Sequence, residues 1–303
     1  MNAGKQIPGL TPYVYGTTRL GDASIPFAAR VTVAREAMNT GVWFHTSIRY
    51  NDALQVLRAA FDEDRAHVPN IIYKLHGNSV ESFKKLIHEQ IGILGLERMD
   101  VAQLCIGQDY IDTFSRPGGG LDDLRALKDE GLVGNFVLEV YPWECDAPLA
   151  ALKAGYTDEL IDAFMFYLNP LQRFVSNEMW DLILEKGAKI VALRTVCGNE
   201  VHVLRDVPGA AWKPYLRERA SEVVPIFERS GIASWTEFCV RFAHSFPGVL
   251  TTVGSTSRSA NLREFIRASR DIMPLPQDIV DDIVKLQYRW SAETDVHAEP
   301  WTM

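Results

Sequence analysis

The chain has 303 residues, of which 47% are hydrophobic and 23% are charged, and its formal net charge at pH 7 is -8. This length and apolar content are sufficient for one barrel-sized domain or for two ordinary ones. An acidic chain without a basic block is a poor candidate for binding nucleic acid or an anionic membrane. No apolar run approaches the roughly 18 residues that a membrane-spanning helix needs.

The four cysteines are scattered along the chain without a CxxC pair, at Cys105, Cys145, Cys197 and Cys239. This spacing argues against a disulfide framework and against a structural zinc site, and it fits a reducing compartment. The first ten residues, MNAGKQIPGL, lack the apolar core of a signal peptide. We therefore expect a cytoplasmic protein with neither nucleic-acid nor membrane partners.

Short apolar runs alternate with longer stretches of helical period along the chain. Each run has the length of a buried parallel strand. The eight runs are 13–17, 42–46, 70–74, 101–105, 135–140, 163–167, 189–193 and 249–254. Amphipathic helices are predicted at 79–95, 120–133 and 176–190. Ser176 is a suitable N-terminal cap, and Gly131 and Gly187 are suitable C-terminal ends.

Eight strands alternating with helices predict an α/β fold, a single (β/α)8 TIM barrel over residues 1–303. An open doubly wound sheet is disfavoured, because YGTTRLG after the first strand lacks the GxGxxG spacing. The segment 199–230 is long for a strand-to-helix connection and predicts an inserted loop or lid that leads into a helix. The tail from about 274 is expected to fold across the barrel or to extend beyond it.

Polar residues end most of the predicted strands, and in this fold the chemistry takes place at those ends. Tyr50 stands on the loop just after the second strand. A lysine beside a tyrosine has a clear chemical meaning, because the cation stabilises phenolate and is expected to lower the phenol pKa. The strand-end residues are Thr17, Thr18, His45, Lys74, Cys105, Glu139, Met165, Arg194 and Gly254.

Eight segments in chain order resemble the aldo-keto reductase superfamily. GVWFHTSIRYND is similar to the family's G-x-x-x-x-D-T-A-x-x-Y-G, and FMFYLNPLQR is similar to Q-x-x-Y-N-x-l-x-R. VGSTSRSANLREFI is similar to the G-t-s-x-x-x-x-L-x-e-N segment. The others are YGTTRLG, NIIYKLHG, MDVAQLCIG, DEGLVGNFVLEV and GAKIVALRTVCG. The resemblance covers most of the chain and implies NAD(P)(H)-dependent carbonyl reduction.

The family uses four catalytic residues: a Tyr that protonates the carbonyl oxygen, a Lys paired to an Asp, and a His that orients the substrate. By the resemblance, Tyr50 and Lys74 fall on the tyrosine and the lysine. His45 falls on the aspartate position and Cys105 on the histidine position. A neutral imidazole supports an ammonium less than a carboxylate does, so we expect Lys74 to lose its proton more easily than the family lysine.

The resemblance also implies the cofactor contacts. The family's Ser, Asn and Gln, which hold the nicotinamide carboxamide, correspond to Glu139, Val140 and Met165, and the last two cannot replace amide hydrogen bonds. Phe265 stands where the family usually has an Asn near the adenine. A helix N-terminus at residues 254–257 is predicted to bind phosphate. The full set implied for cofactor binding is Thr17, Thr18, Asn169, Arg194, Gly254, Ser255, Thr256, Ser257 and Arg258.

Three functions remain open at this stage. The first is an aldo-keto-reductase-like enzyme that uses NADP(H) or NAD(H) on a small polar carbonyl or a sugar-like metabolite, with Tyr50, Lys74, His45, Cys105 and Glu139 as catalytic residues. The second is the same barrel without a nicotinamide, used for proton transfer by an isomerase, epimerase or dehydratase. The third is a non-catalytic binding or regulatory protein. A metal site is not predicted, since His45, Cys105 and Glu139 have no ligand spacing signature.

Overall fold

The computed structural model describes residues 6–141, 145–196 and 214–293. Eight parallel strands form a closed ring in the order β5-β4-β3-β2-β1-β9-β8-β6, and β6 pairs with β5 to close it. A short strand, β7, pairs antiparallel with the end of β6. The strands are β1 (Tyr13–Gly16), β2 (Trp43–Thr46), β3 (Ile71–His76), β4 (Met99–Cys105), β5 (Val133–Glu139), β6 (Ile161–Asn169), β7 (Gln172–Arg173), β8 (Ile190–Leu193) and β9 (Val249–Ser255).

Helices surround the ring, so the prediction of a (β/α)8 barrel is confirmed. The three helices singled out from the sequence are α3, α5 and α7, and Ser176 accepts a hydrogen bond from the N–H of Met179 as the cap of α7. The helices are α1 (Phe27–Met38), α2 (Ala53–Glu63), α3 (Val80–Leu94), α4 (Gln108–Ile111), α5 (Gly120–Asp129), α6 (Asp146–Ala154), α7 (Asn177–Lys186), α8 (Pro214–Arg229), α9 (Trp235–Ala243), α10 (Ser259–Ala268) and α11 (Gln277–Glu293).

Alternation along each strand separates two hydrophobic cores. On β3, Ile72 belongs to the cluster inside the ring, whereas Tyr73 and Leu75 belong to the larger cluster under the helices. The same alternation places Lys74 inside, because successive side chains of a strand point to opposite faces. The interior cluster consists of Ile7, Val14, Trp43, Ile72, Val101, Val137, Ala163, Met165, Val191, Leu193 and Val253. The polar side chains of Lys74, Cys105 and Glu139 follow this apolar layer on the same face, toward the C-terminal ends of their strands.

The predicted insertion and tail are described in part. Residues 199–213 of the predicted insertion lie outside the described residues, and most of its remainder is α8. Residues 277–293 form α11, which packs on the helix layer, so this part of the tail does not extend beyond the barrel. Gln287 of α11 donates a hydrogen bond to the carbonyl of Asn169 at 2.9 Å. Within the ranges that the structure describes, no helix is both long and apolar enough to cross a membrane.

Candidate active site

A buried ion pair stands at the C-terminal end of the barrel interior. Nζ of Lys74 on β3 lies 3.3 Å from Oε1 and 3.4 Å from Oε2 of Glu139 on β5. Glu139 is only 4% exposed and Lys74 is 18% exposed. The two strands are separated by β4, so the pair reaches across the inner face of that strand.

Two further side chains hold the Glu139 carboxylate. Cys105 of β4 donates through its thiol to Oε2 of Glu139 at 2.7 Å, and the Tyr141 side chain also hydrogen-bonds this carboxylate. Burial alone would raise the pKa of Glu139, but the Lys74 charge and these hydrogen bonds outweigh it and hold the pKa below its usual value. Burial and the Glu139 charge raise the pKa of the Cys105 thiol, so it stays protonated.

The expectation that Lys74 loses its proton easily is wrong. Burial alone would lower its pKa, but Tyr50, once ionised at high pH, and the Glu139 carboxylate outweigh this effect, so the pKa of Lys74 lies above its ordinary value. The physical reason is that a carboxylate partner is present. It comes from β5, at the position that the resemblance assigns to the carboxamide, and not from β2.

His45 does not take part in this ion pair. Its Nε2 lies 2.5 Å from Oε1 of Gln103 on β4, and because an amide oxygen only accepts, the neutral imidazole donates this bond. Burial first and the Lys74 charge second lower the pKa of His45 to about 4. His45 is therefore a neutral interior residue below the rim at physiological pH. The amide nitrogen of Gln103 has no hydrogen-bond partner among the described residues.

Tyr50 faces the ion pair from the loop after β2. Its phenol hydrogen-bonds the side chain of Thr18, and the charges of Lys74 and Glu139 both act on it. Burial, the largest cause, raises the pKa of Tyr50; Lys74 and Thr18 lower it, and Glu139 raises it, so that the net shift is upward. Lys74 therefore acts on the phenol pKa in the predicted direction, but the net pKa lies above its ordinary value because burial opposes the lysine. Tyr50 is a protonated phenol at neutral pH.

Close packing against Gly21 fixes the backbone of Tyr50. A Cβ added at Gly21 would lie 2.2 Å from the carbonyl oxygen of Tyr50, so only glycine permits this approach. Asn51 has a positive φ of 48° and donates through Nδ2 to the Gly21 carbonyl at 3.0 Å. Arg30 of α1, which is 4% exposed, forms an ion pair with Asp52 and donates to the carbonyl of Leu20. The loops after β1 and β2 are thus tied together behind the phenol.

The predicted phosphate segment lies partly on a strand. Gly254 and Ser255 end β9, and α10 begins at Ser259 with Arg258 as its cap, so the helix begins two residues after the predicted segment 254–257. Ser255 Oγ accepts from the N–H of Arg19 at 2.9 Å, and Thr256 Oγ1 accepts from the N–H of Arg258 at 3.1 Å. Ser257 and Arg258 follow in the connection to α10, where Arg258 is exposed.

The other residues proposed for cofactor binding have mainly structural contacts. Thr17 donates through its buried hydroxyl to Thr46 Oγ1 at 2.8 Å, which joins the ends of β1 and β2. Asn169 donates to the carbonyl of Arg194 at 2.9 Å. Arg194 has a positive φ of 47°, and its guanidinium stands 5.0 Å from the ring centre of Tyr167. The structure therefore brings Asn169 and Arg194 together at the rim.

The carboxamide position offers one polar group. Glu139 carries two acceptor oxygens, whereas Met165 is fully buried in the interior cluster and Val140 packs in the outer cluster. Phe265 stacks on Tyr13 with ring centres 4.9 Å apart and fills the space that a Cβ of Gly254 would need. Arg258 and the hydroxyl of Ser255 are groups that fit a dinucleotide phosphate. Of the three residues at the carboxamide position, Glu139 alone carries polar side-chain atoms that fit an amide.

Four residues of the site were not predicted from the sequence: His76, Gln103, Tyr141 and Tyr167. All three strand residues lie on the interior phase: Gln103 and Tyr167 fall within the predicted strands 101–105 and 163–167, and His76 lies one period of two beyond the predicted strand 70–74. Tyr141 follows β5 and offers no such signal. Among the described residues, no group of three or more His, Cys, Asp or Glu is arranged to hold a metal ion.

The closed parallel ring and its polar rim define a (β/α)8 barrel with a site at the C-terminal ends of its strands. No protein-family model matches the chain, and no curated protein matches it significantly. Solved structures do match. Aldo-keto reductase AKR11C1 from Bacillus halodurans, in its holo form, is 19% identical with a TM-score of 0.69, and the match covers 91% of each chain.

Two further solved structures give the same result. An aldo/keto reductase from Klebsiella pneumoniae, in complex with NADP and acetate, is 14% identical with a TM-score of 0.68, and 92% of each chain is covered. The thermostable aldo-keto reductase Tm1743, in complex with the inhibitor epalrestat, is 14% identical with a TM-score of 0.64, covering 91% of this chain and 95% of that one. The chain therefore has the fold of the aldo-keto reductases.

Proposed function

We propose that the protein is a nicotinamide-dependent oxidoreductase that reduces a small polar or sugar-like carbonyl compound, with Tyr50 as the proton donor. The observation that carries this proposal is the arrangement of a protonated phenol beside an ammonium that a buried carboxylate keeps charged. The fold adds support, since a solved structure with the same fold holds NADP.

The proposed chemistry divides the work between the cofactor and the chain. A bound NAD(P)H would supply the hydride to the carbonyl carbon. Tyr50 gives its proton to the carbonyl oxygen, and the Lys74 ammonium stabilises the phenolate that remains. Glu139 keeps Lys74 charged throughout this step. Arg258, Arg194 and the hydroxyl of Ser255 would hold the phosphates.

The test combines binding and turnover. The chain has 7 Trp residues, so titration with NADPH is expected to quench their fluorescence. Absorbance at 340 nm then follows NADPH consumption with small aldehydes such as DL-glyceraldehyde. Tyr50→Phe is expected to lower kcat by about 100-fold or more while leaving NADPH binding within twofold. Tyr156→Phe is the control, because Tyr156 is 40% exposed. Wild-type protein that neither binds nor consumes a nicotinamide would contradict the proposal.

One observation favours a second candidate, proton transfer without redox chemistry. Val140 and Met165 present no amide at the carboxamide positions, whereas the acid-base residues Tyr50, Lys74 and Glu139 remain together. An isomerase, epimerase or dehydratase needs only these groups. It would exchange a substrate proton with deuterated water and show no change at 340 nm.

A further inference from the structure

The observation behind this inference is the position of His76 at the rim. Every second residue of β3 points into the barrel, which places Ile72 and Lys74 on the interior face. His76, the last residue of the strand, points to the same face. In the parallel pairing of β3 with β4, His76 lies directly beside Cys105. His76 therefore stands next to the position at which the resemblance places the substrate-orienting histidine.

The imidazole of His76 has an unused polar atom. Its Nε2 is buried and has no hydrogen-bond partner within the described ranges. An unsatisfied buried polar atom destabilises the fold, and a ligand that hydrogen-bonds to it would remove that cost. Cys105 is not available for the same role, because its thiol already donates to Glu139 at 2.7 Å.

The charges around His76 suit a neutral hydrogen-bond donor. Burial first, and then the cations Arg49 on the loop after β2 and Lys74 on β3, lower the pKa of His76 to about 4, while Glu139 on β5 opposes them. A neutral imidazole can donate a hydrogen bond to a carbonyl oxygen without giving up its proton. Tyr50 then remains the only acid that the step requires.

We infer that His76 hydrogen-bonds the carbonyl oxygen of the substrate and orients it toward Tyr50, in place of the histidine that is absent at Cys105. This inference rests on the proposed function. The proton that reaches the carbonyl oxygen comes from Tyr50, and His76 keeps its own.

His76→Leu and His76→Gln test this with NADPH and DL-glyceraldehyde. Removing one such donor lowers catalysis by about 100-fold, so His76→Leu is expected to lose roughly that factor in kcat/KM while NADPH binding stays within twofold. His76→Gln, which retains an amide donor, is expected to keep most of the activity. Cys105→His in the His76→Leu background is expected to recover about tenfold, because the two positions are neighbours in register.

His244→Leu is the matched control. His244 also has a buried Nε2 without a partner in the described part of the chain and a lowered pKa, but it hydrogen-bonds the carbonyl of Pro12, ahead of β1 and away from the rim. Its replacement should leave kcat/KM within twofold.

The outcomes separate the two proposals. Wild-type kcat/KM in His76→Leu, with Tyr50→Phe inactive, overturns the role of His76 alone. Wild-type protein that consumes no NADPH overturns the proposed function and this inference with it. If His76→Leu does not fold, His76→Met takes its place: a tenfold or larger loss in kcat/KM at unchanged NADPH affinity supports the role, and wild-type kcat/KM overturns it.

Discussion

Lys74 on β3 and Glu139 on β5 form an ion pair across the intervening strand β4, at 3.3 Å and 3.4 Å between Nζ and the two carboxylate oxygens. In the ring, β2 lies on one side of β3, and β4 and β5 lie on the other. The carboxylate that pairs with Lys74 therefore comes from the side away from β2. The Lys74 ammonium thus has a counter-charge although β2 carries the neutral His45.

The first prediction concerns Glu139→Gln. Removing one partner of a buried ion pair leaves an uncompensated charge, so the free energy of unfolding should fall by about 3–5 kcal/mol. Burial would then dominate at Lys74 and lower its pKa, so kcat/KM should decline with rising pH at a lower pH than in wild type. Urea unfolding and a pH-rate profile measure both effects.

Glu130→Gln is the control for that prediction. Glu130 forms an exposed ion pair with Lys84 at 2.6 Å, and exposed pairs contribute only about 0–1 kcal/mol. Equal destabilisation by the two variants, or an unchanged pH profile in Glu139→Gln, would show that Lys74 does not depend on Glu139.

The second prediction concerns Gly21→Ala. The new methyl group would overlap the Tyr50 carbonyl, so the loop must shift and Tyr50 must leave its position beside Lys74. We expect a loss of about 100-fold in kcat with the barrel intact by circular dichroism, since small misplacements of catalytic groups cost this much. Gly92→Ala, in α3 with open space around it, should be neutral or slightly stabilising. Full activity in Gly21→Ala would mean that the position of Tyr50 is not critical.

The third prediction concerns the pH dependence of stability. The pKa of His45 is lowered to about 4 in the fold and is near 6.5 when unfolded. As pH falls, His45 is protonated near pH 6.5 in the unfolded chain but only near pH 4 in the folded protein. Between these values the unfolded state binds one more proton, so the free energy of unfolding decreases by up to roughly 3 kcal/mol. His45→Gln should flatten the dependence of Tm on pH in this window. His67→Gln, at an exposed histidine, should not, and identical slopes for both variants would contradict the burial of a neutral His45.

The fourth prediction concerns the cofactor phosphates. A charge-assisted hydrogen bond contributes about 1.5–3 kcal/mol, so Arg258→Ala should raise the Kd for NADPH by roughly tenfold or more and reduce its salt dependence. Arg263 lies further along α10, and its guanidinium pairs with Glu36 at 2.9 Å. Arg263→Ala should leave the Kd unchanged in the same fluorescence titration. If both variants bind NADPH like wild type, Arg258 does not contact the phosphates.

The (β/α)8 barrel could be predicted from the sequence because strand length and helical period are local properties. Each strand of a closed ring is buried between the interior and the helices, so the same pattern recurs in every strand and helix. It also indicated that Tyr50 and Lys74 share the rim, since strand ends converge in this fold. Ion pairing across β4 was not predictable, because Lys74 and Glu139 are far apart in sequence and the alignment of motifs assigned the carboxylate to β2.

The signs of the pKa shifts of Tyr50 and Lys74 could not be predicted from the sequence, for a related reason. Whether Lys74 lowers the pKa of Tyr50 depends on the balance between a nearby charge and burial, and burial depends on how the loops after β1 and β2 pack. His76 was missed because the predicted third strand ended at Lys74, one period too early to include it.

The most direct test of the account is the fate of a deuterium label on the cofactor. The protein is mixed in ordinary water with NADPH that carries deuterium at both C4 positions and with DL-glyceraldehyde or another small aldehyde, and the alcohol product is analysed by mass spectrometry. The account predicts one deuterium on the former carbonyl carbon in wild type and a loss of product in Tyr50→Phe. An unlabelled product, or substrate turnover that proceeds without any nicotinamide, would contradict it.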